Sequence, residues 1–289
     1  LMELLQKAGL SAYVGKVNMD RNSPEFLIED THQSLTDTKE WLEASAQFGP
    51  LVKPIITPRF VPSCTSELMS GLGNLAEEYN VPVQSHLSEN HGEIDWVAAL
   101  HPEAANYTDV YYEHHLMGKV PTVMAHCIHL SDVEMDRMAE TQTMVSHCPY
   151  SNVNLSSGIA PIRKLFERKI PIGLGSDISG GHIVSMAKVL TEAIGLSKMK
   201  WVEVDQTYAP LTLSEAFYMA TKGGGKFFGK VGSFEKGCEL DALVIDDTTL
   251  FDPNERSLEE RLERWLYVGD DRHIVERYVA GKVASEPTN

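Results

Sequence analysis

The stretch TSELMSGLGNLAEEYNVPVQSHLSENHGEI, residues Thr65 to Ile94, holds one complete unit of the fold. Apolar residues recur at helical spacing from Leu68 to Ala76, with Thr65 placed as N-cap and the helix closing near Asn80. An alternating apolar run, Val81 to Ser85, reads as a strand. It finishes in His86, with Glu89 three positions later, where a strand end would normally carry turn residues. A metal site, an acid–base pair and an ordinary strand end are the three readings to weigh.

The helix–strand unit repeats in both directions. Ser11–Val17, VKPIITP, Val81–His86, Pro121–His126, TMVSHCP and IPIGLGSD read as six strands through Asp177, although Pro54 weakens the second. Helices are predicted at the opening LMELLQKAGL, over Thr31–Phe48, at SDVEMDRMAE with Ser131 and Glu134 as a capping box, at IRKLFERK, and around Val184–Ser197 and Thr212–Thr221. Repeated units of this size indicate a parallel sheet with helical crossovers, either an eight-stranded barrel or an open doubly wound sheet. No Gly-x-Gly-x-x-Gly follows the first strand, and GGGKFFG (Gly223–Gly229) follows a helix without a phosphate-loop ending, so it reads as a helix end and turn. After Gly229 the pattern changes to a short β segment, the helix SLEERLERWLYV and a terminal strand with a turn. The expected division is therefore 1–229, the barrel, and 230–289, a small β addition with a helix.

Composition sets limits on partners. The chain has 289 residues, 43% apolar, with a formal net charge of -16. Such a surface repels polyanions, which argues against nucleic acid and anionic membranes. No apolar run reaches the length of a membrane span. Four cysteines without a C-x-x-C pair argue against a cysteine zinc knuckle and fit a reduced, cytoplasmic chain.

The chemistry collects at the C-terminal ends of the strands. There stand Arg59 and Phe60, then His86 with Glu89, then His126, then His147 with Cys148, then Asp177 followed by Gly180 and Gly181. In parallel α/β folds that rim is where active sites are built. Taken singly, each residue has an ordinary explanation. His126 and His147 could be rim histidines, Asp177 a helix cap, Glu89 a first-turn acid, Cys148 a packing residue and Arg59 half of an ion pair. Together, two histidines and an aspartate suit a zinc or iron ion with an open position for water, with Glu89 outside the metal shell to shuttle protons.

The set SHLSEN, MAHCIHL, SHCPYSNVNLSSG and GLGSDISGG resembles the amidohydrolase superfamily of metal-dependent barrels. VKPIITPRF, YVGKVNMD and WLYVGDDRHI are similar to its guanine-deaminating branch, and the resemblance runs from about Ser11 to Val283. It implies a metal-dependent (β/α)8 barrel and conversion of guanine to xanthine and ammonia. It implies one Zn2+ per subunit, with iron as the alternative, held by His86, Asp177 and His126. Glu89, His126 and Asp177 become the catalytic residues. Arg59, Phe60, His86, Leu87, Ser88, Glu89 and Asp177 line the substrate, and the molecule is a homodimer. Adenosine-type, cytosine or triazine deamination, or a non-catalytic scaffold, are the alternatives.

One departure matters. The superfamily carries a His-x-His pair on its first strand, and no such pair stands before Ser11. The expectation is therefore a chain matching the C-terminal two-thirds of such an enzyme, with about six of eight strands. Such a chain is expected to bind metal weakly and to be inactive alone.

Overall fold

A computed structural model describes residues 1–284; the last five residues of the expected C-terminal segment lie outside the described part. The chain divides into two compact units, Leu1–Ser146 with Glu167–Pro171, and His147–Phe166 with the described residues 172–284.

In the first unit every strand pairing is parallel. Ala12–Val14 lies beside Val52–Pro54, and Val17–Asn18 beside Thr57–Pro58. A bridge from Ile56 to Val83 leads to Val83–Leu87, which pairs along its whole length with Thr122–His126. Thr122–His126 pairs in turn with Met144–Ser146. Pro54 is tolerated because the donor to the neighbouring strand is Ile55, whose N–H reaches the Val14 carbonyl at 3.1 Å.

Helices connect these strands. Thr31–Ser45 is capped by Asp30, one residue earlier than the polar start read from the sequence. Ser66–Tyr79 has the expected Thr65 cap, and Asn80 ends it in the left-handed conformation that a short polar side chain tolerates. Asp132–Thr141 carries the Ser131/Glu134 capping box. The helix His91–Leu100, not singled out in the sequence, opens with a second box from Asn90 and Glu93. Gly73 is needed for close approach, since a Cβ there would fall 2.0 Å from the His114 carbonyl oxygen. The core between helices and strands is fully buried at Leu68, Leu72, Val83, Leu87, Tyr111, Met124 and Val145.

The second unit contains the strand Ile172–Leu174, the helix Met186–Glu203, and Leu213–Tyr218 running into a π-helical turn, Met219–Gly223. Further on, Ala242–Ile245, Ile274–Val279 and Lys282–Val283 form an antiparallel sheet with the middle segment central. Helix Leu258–Val268 packs on Met186–Glu203 through buried Trp265 and Leu266, and Lys188 Nζ donates to the Tyr267 carbonyl at 2.8 Å. Among the described residues no helix is long and apolar enough to cross a membrane.

Candidate active site

Along Val83–Leu87 burial alternates, so Val83, Ser85 and Leu87 turn inward while Gln84 and His86 take the other face. His86 Nδ1 lies 2.7 Å from the Arg59 carbonyl oxygen. A carbonyl only accepts, so Nδ1 carries a proton, and in the neutral ring Nε2 is the nitrogen left to a metal. That is how a metal-ligating imidazole is usually oriented.

His126 ends the adjacent strand, opposite Leu87 in the register. It is 1% exposed, and its ring stands 5.4 Å from that of His86, centre to centre, at 28°. Glu89 Oε2 is 3.7 Å from His126 Nε2. The backbone around them is unusual. Ser88, His126 and Cys127 have φ of 49°, 70° and 53°, left-handed values uncommon outside glycine. The two strand-end loops are tied together: the N–H groups of Ile128 and His129 both reach the Ser88 carbonyl at 3.1 Å. Leu87 and Ser88 have fully buried side chains, and Ser88 Oγ has no hydrogen-bond partner. Glu89 precedes the Asn90 cap and is not a first-turn acid, so the dipole reading of that residue falls.

Beside this pair runs an aromatic wall. The Arg59 guanidinium lies over the Phe60 ring at 5.4 Å, and Phe60 meets Trp96 edge-on at 6.4 Å. Arg59 forms no ion pair among the described residues, and its only side-chain polar contact there is Nη1 near Met19 Sδ at 3.7 Å. The pairing explanation for Arg59 therefore falls. Trp96 was missed in the sequence; it is 40% exposed on the helix that follows Glu89, and a large exposed aromatic in a helix beside strand-end polar residues was the available signal.

In the second unit, Asp177 follows strand Ile172–Leu174 with φ of 45°. It does not cap the next helix, which begins at Met186 behind Ser185. The chain folds back so that the Gly181 N–H reaches the Asp177 carbonyl at 2.6 Å. A Cβ on Gly181 would fall 2.1 Å from the Ser176 carbonyl oxygen, and one on Gly180 would fall 2.8 Å from Asp177 Oδ2. Glycine is required at 181, where backbone stands in the way; at 180 the close atoms are side-chain ends, Ser151 Oγ at 2.6 Å being the nearest. Cys148 is 3% exposed, as a packing residue would be, and the rim histidine His147 is 2% exposed.

His86 and His126 supply two nitrogen donors of the kind zinc and iron accept. Among the described residues no three His, Cys, Asp or Glu side chains gather as a metal-holding group.

The model of the amidohydrolase family matches residues 1–284. The chain belongs to the amidohydrolase family. Within that family it is 44% identical to a guanine deaminase of Dictyostelium discoideum over 97% of its length, and 40% identical to that of Mus musculus over 98%. It spans 64% of the length of each of those proteins. A crystal structure of guanine deaminase from C. acetobutylicum with guanine bound in its active site superposes with a TM-score of 0.95 at 52% identity, covering 99% of this chain and 68% of that one. The expected amidohydrolase-type α/β fold is thus borne out.

Proposed function

We propose that the protein takes part in hydrolytic deamination of guanine to xanthine and ammonia. The likeness to the guanine-bound amidohydrolase at 52% identity is the observation that carries this reading. The arrangement of Arg59, Phe60, His86, Glu89 and His126 on neighbouring strand ends supports it.

His86, through Nε2, and His126 would hold a metal ion, with Asp177 as a carboxylate ligand. Zinc, one per subunit, suits this donor set best, and iron is the alternative. When bound, such an ion lowers the pKa of water to about 7 and so supplies a nucleophile at neutral pH. Phe60 packs on the purine face, and Arg59 donates hydrogen bonds to the oxo edge. Water adds to the carbon bearing the exocyclic amine. Glu89 delivers a proton to the adjacent ring nitrogen, so that no charge is left on the ring. Asp177 takes the proton released by the water, and His126 keeps that oxygen against the carbon it attacks. The amine then gains the proton held by Asp177 and leaves as ammonia, and the new hydroxyl on the carbon returns its proton to Glu89 as it becomes the oxo group. On this reading the six parallel strands belong to an eight-stranded barrel, residues 230–289 form its β addition, and the enzyme is a cytoplasmic homodimer.

The test is loss of guanine absorbance with ammonia release and metal analysis, on the full product of the gene and on the 289-residue chain. Turnover by the full product, reduced about 10²- to 10⁴-fold by Glu89→Gln at unchanged metal content, is expected. Preference for an adenosine-type, cytosine or triazine ring would overturn the substrate. No turnover and no metal in either form would leave a scaffold.

A further inference from the structure

Behind the wall of Glu89 and His86 lies a buried polar network that no metal or substrate role explains. Tyr107 and Tyr111 stand one helical turn apart on the helix Tyr107–Glu113, 3% and 0% exposed, with rings stacked 5.7 Å apart. The Tyr107 hydroxyl donates to Glu93 Oε1 at 2.6 Å. Glu93 Oε2 accepts the Glu89 N–H at 2.9 Å and the Asn90 N–H at 3.4 Å. The Tyr111 hydroxyl lies 2.8 Å from the His86 carbonyl oxygen and 2.7 Å from Ser85 Oγ, which itself reaches the carbonyls of Pro58 at 2.7 Å and Arg59 at 3.1 Å.

A capping box alone does not need this. Glu134, Glu215 and Glu260 each close a box by returning to their own cap residue. Glu93 reaches one residue further and makes its shorter bond to Glu89. It is also 6% exposed, where an ionised carboxylate survives only with several donors around it. Burial pushes its pKa up, and the Tyr107 hydroxyl and the two N–H groups pull it back. On the other arm, two hydroxyl protons serve three backbone carbonyls at the base of His86, one of which also holds the His86 ring.

We propose that Glu93, Tyr107 and Tyr111 are positioning residues: Glu93, clamped by Tyr107, fixes the backbone from which the Glu89 carboxylate reaches the site, and Tyr111 fixes that of His86. The inference rests on the deaminase reading, because it concerns the proton carrier of that reaction. A misplacement of about 1 Å in such a group costs on the order of 10²-fold in rate without changing what binds.

The experiment uses the metal-loaded full gene product and compares Glu93→Ala, Glu93→Gln and Tyr107→Phe with wild type. Glu93→Ala is expected to lower kcat about tenfold or more, with KM within about twofold and metal content unchanged. Glu93→Gln keeps an acceptor for the Glu89 N–H and is expected to recover most of that loss. Tyr107→Phe frees one carboxylate oxygen and is expected to fall between the two. Amide exchange at Glu89, followed by NMR or mass spectrometry, should quicken in Glu93→Ala and not in Glu93→Gln. Exchange reads the clamp whether or not guanine is the substrate, so a wild type inactive on guanine refutes the deaminase reading and leaves the exchange result to judge the clamp. If Glu93→Ala does not fold, Tyr107→Phe against Glu93→Gln decides. A lowered melting temperature with kcat within twofold of wild type, or unchanged Glu89 exchange, overturns the proposal.

Discussion

Asn18→Asp changes one atom and should be among the most damaging single substitutions in the first unit. Asn18 is 0% exposed, and its Nδ2 donates to Ser34 Oγ and Thr38 Oγ1, both at 2.8 Å, linking the strand Val17–Asn18 to the helix Thr31–Ser45. An ionised aspartate there would face two hydroxyl oxygens whose protons are already committed. Ser34 donates to Glu29 at 2.6 Å and Thr38 to the Ser34 carbonyl at 2.6 Å. Turning either hydroxyl breaks one of those bonds, and the Glu29 carboxylate nearby repels a second anion. The cheaper outcome is a neutral aspartic acid that donates one bond in place of two.

The lost bond costs about 1 kcal/mol. Holding a carboxyl with an unfolded pKa of about 3.9 neutral at pH 7 costs about 3 pH units at about 1.36 kcal/mol each, or about 4 kcal/mol. The penalty at pH 7 is therefore about 5 kcal/mol. Its sign with pH follows from linkage. The folded pKa is raised above the unfolded one, so the folded variant binds the extra proton and loses stability as pH rises above about 3.9. Urea denaturation of variant and wild type should give a gap that shrinks by about 2.7 kcal/mol from pH 7 to pH 5. A penalty under about 1 kcal/mol, equal at both pH values, would refute the reasoning.

Two further outcomes follow from the buried and paired groups. Cys64, Cys127 and Cys148 are buried, and burial above all raises the Cys64 thiol to about 11, while Cys238 is partly exposed. Titration with a thiol reagent at pH 8 should therefore find one fast thiol in the native protein, lost in Cys238→Ser, and all four after denaturation. Glu215 is held down to about 2, chiefly by hydrogen bonds from Arg163. Its stabilisation is present above about 4.5 and lost as pH falls towards 2. The melting-temperature gap between wild type and Glu215→Gln, worth about 1 kcal/mol or less at this partly exposed pair, should close over that interval.

The architecture was largely legible in the sequence because it rests on local signals. The strands around Val14, Val83, Thr122 and Met144 declare themselves by apolar runs, and Thr65 and Ser131 mark helix starts that the structure reproduces. The box Asn90-x-x-Glu93 was present in the same way, but attention to Glu89 as a chemical group hid the helix that begins two residues beyond it. At the site, residue types at strand ends could be read. What orients them could not. The bond from His86 to the Arg59 carbonyl and the bond from Glu93 to the Glu89 N–H engage backbone atoms, which every residue carries and no motif records. The left-handed turns at His126 and Asp177 also leave no trace, since neither position is glycine.

That same contact between His86 and the Arg59 carbonyl has an evolutionary consequence. Position 59 faces two ways: its side chain meets the aromatic wall, and its carbonyl steadies the imidazole. Replacing the side chain alters what the wall can recognise and leaves the carbonyl in place. What the wall accepts can then drift between descendants without each change having to rebuild the histidine. Selection can explore new surfaces at this strand end one side chain at a time, on a support that substitution does not erase.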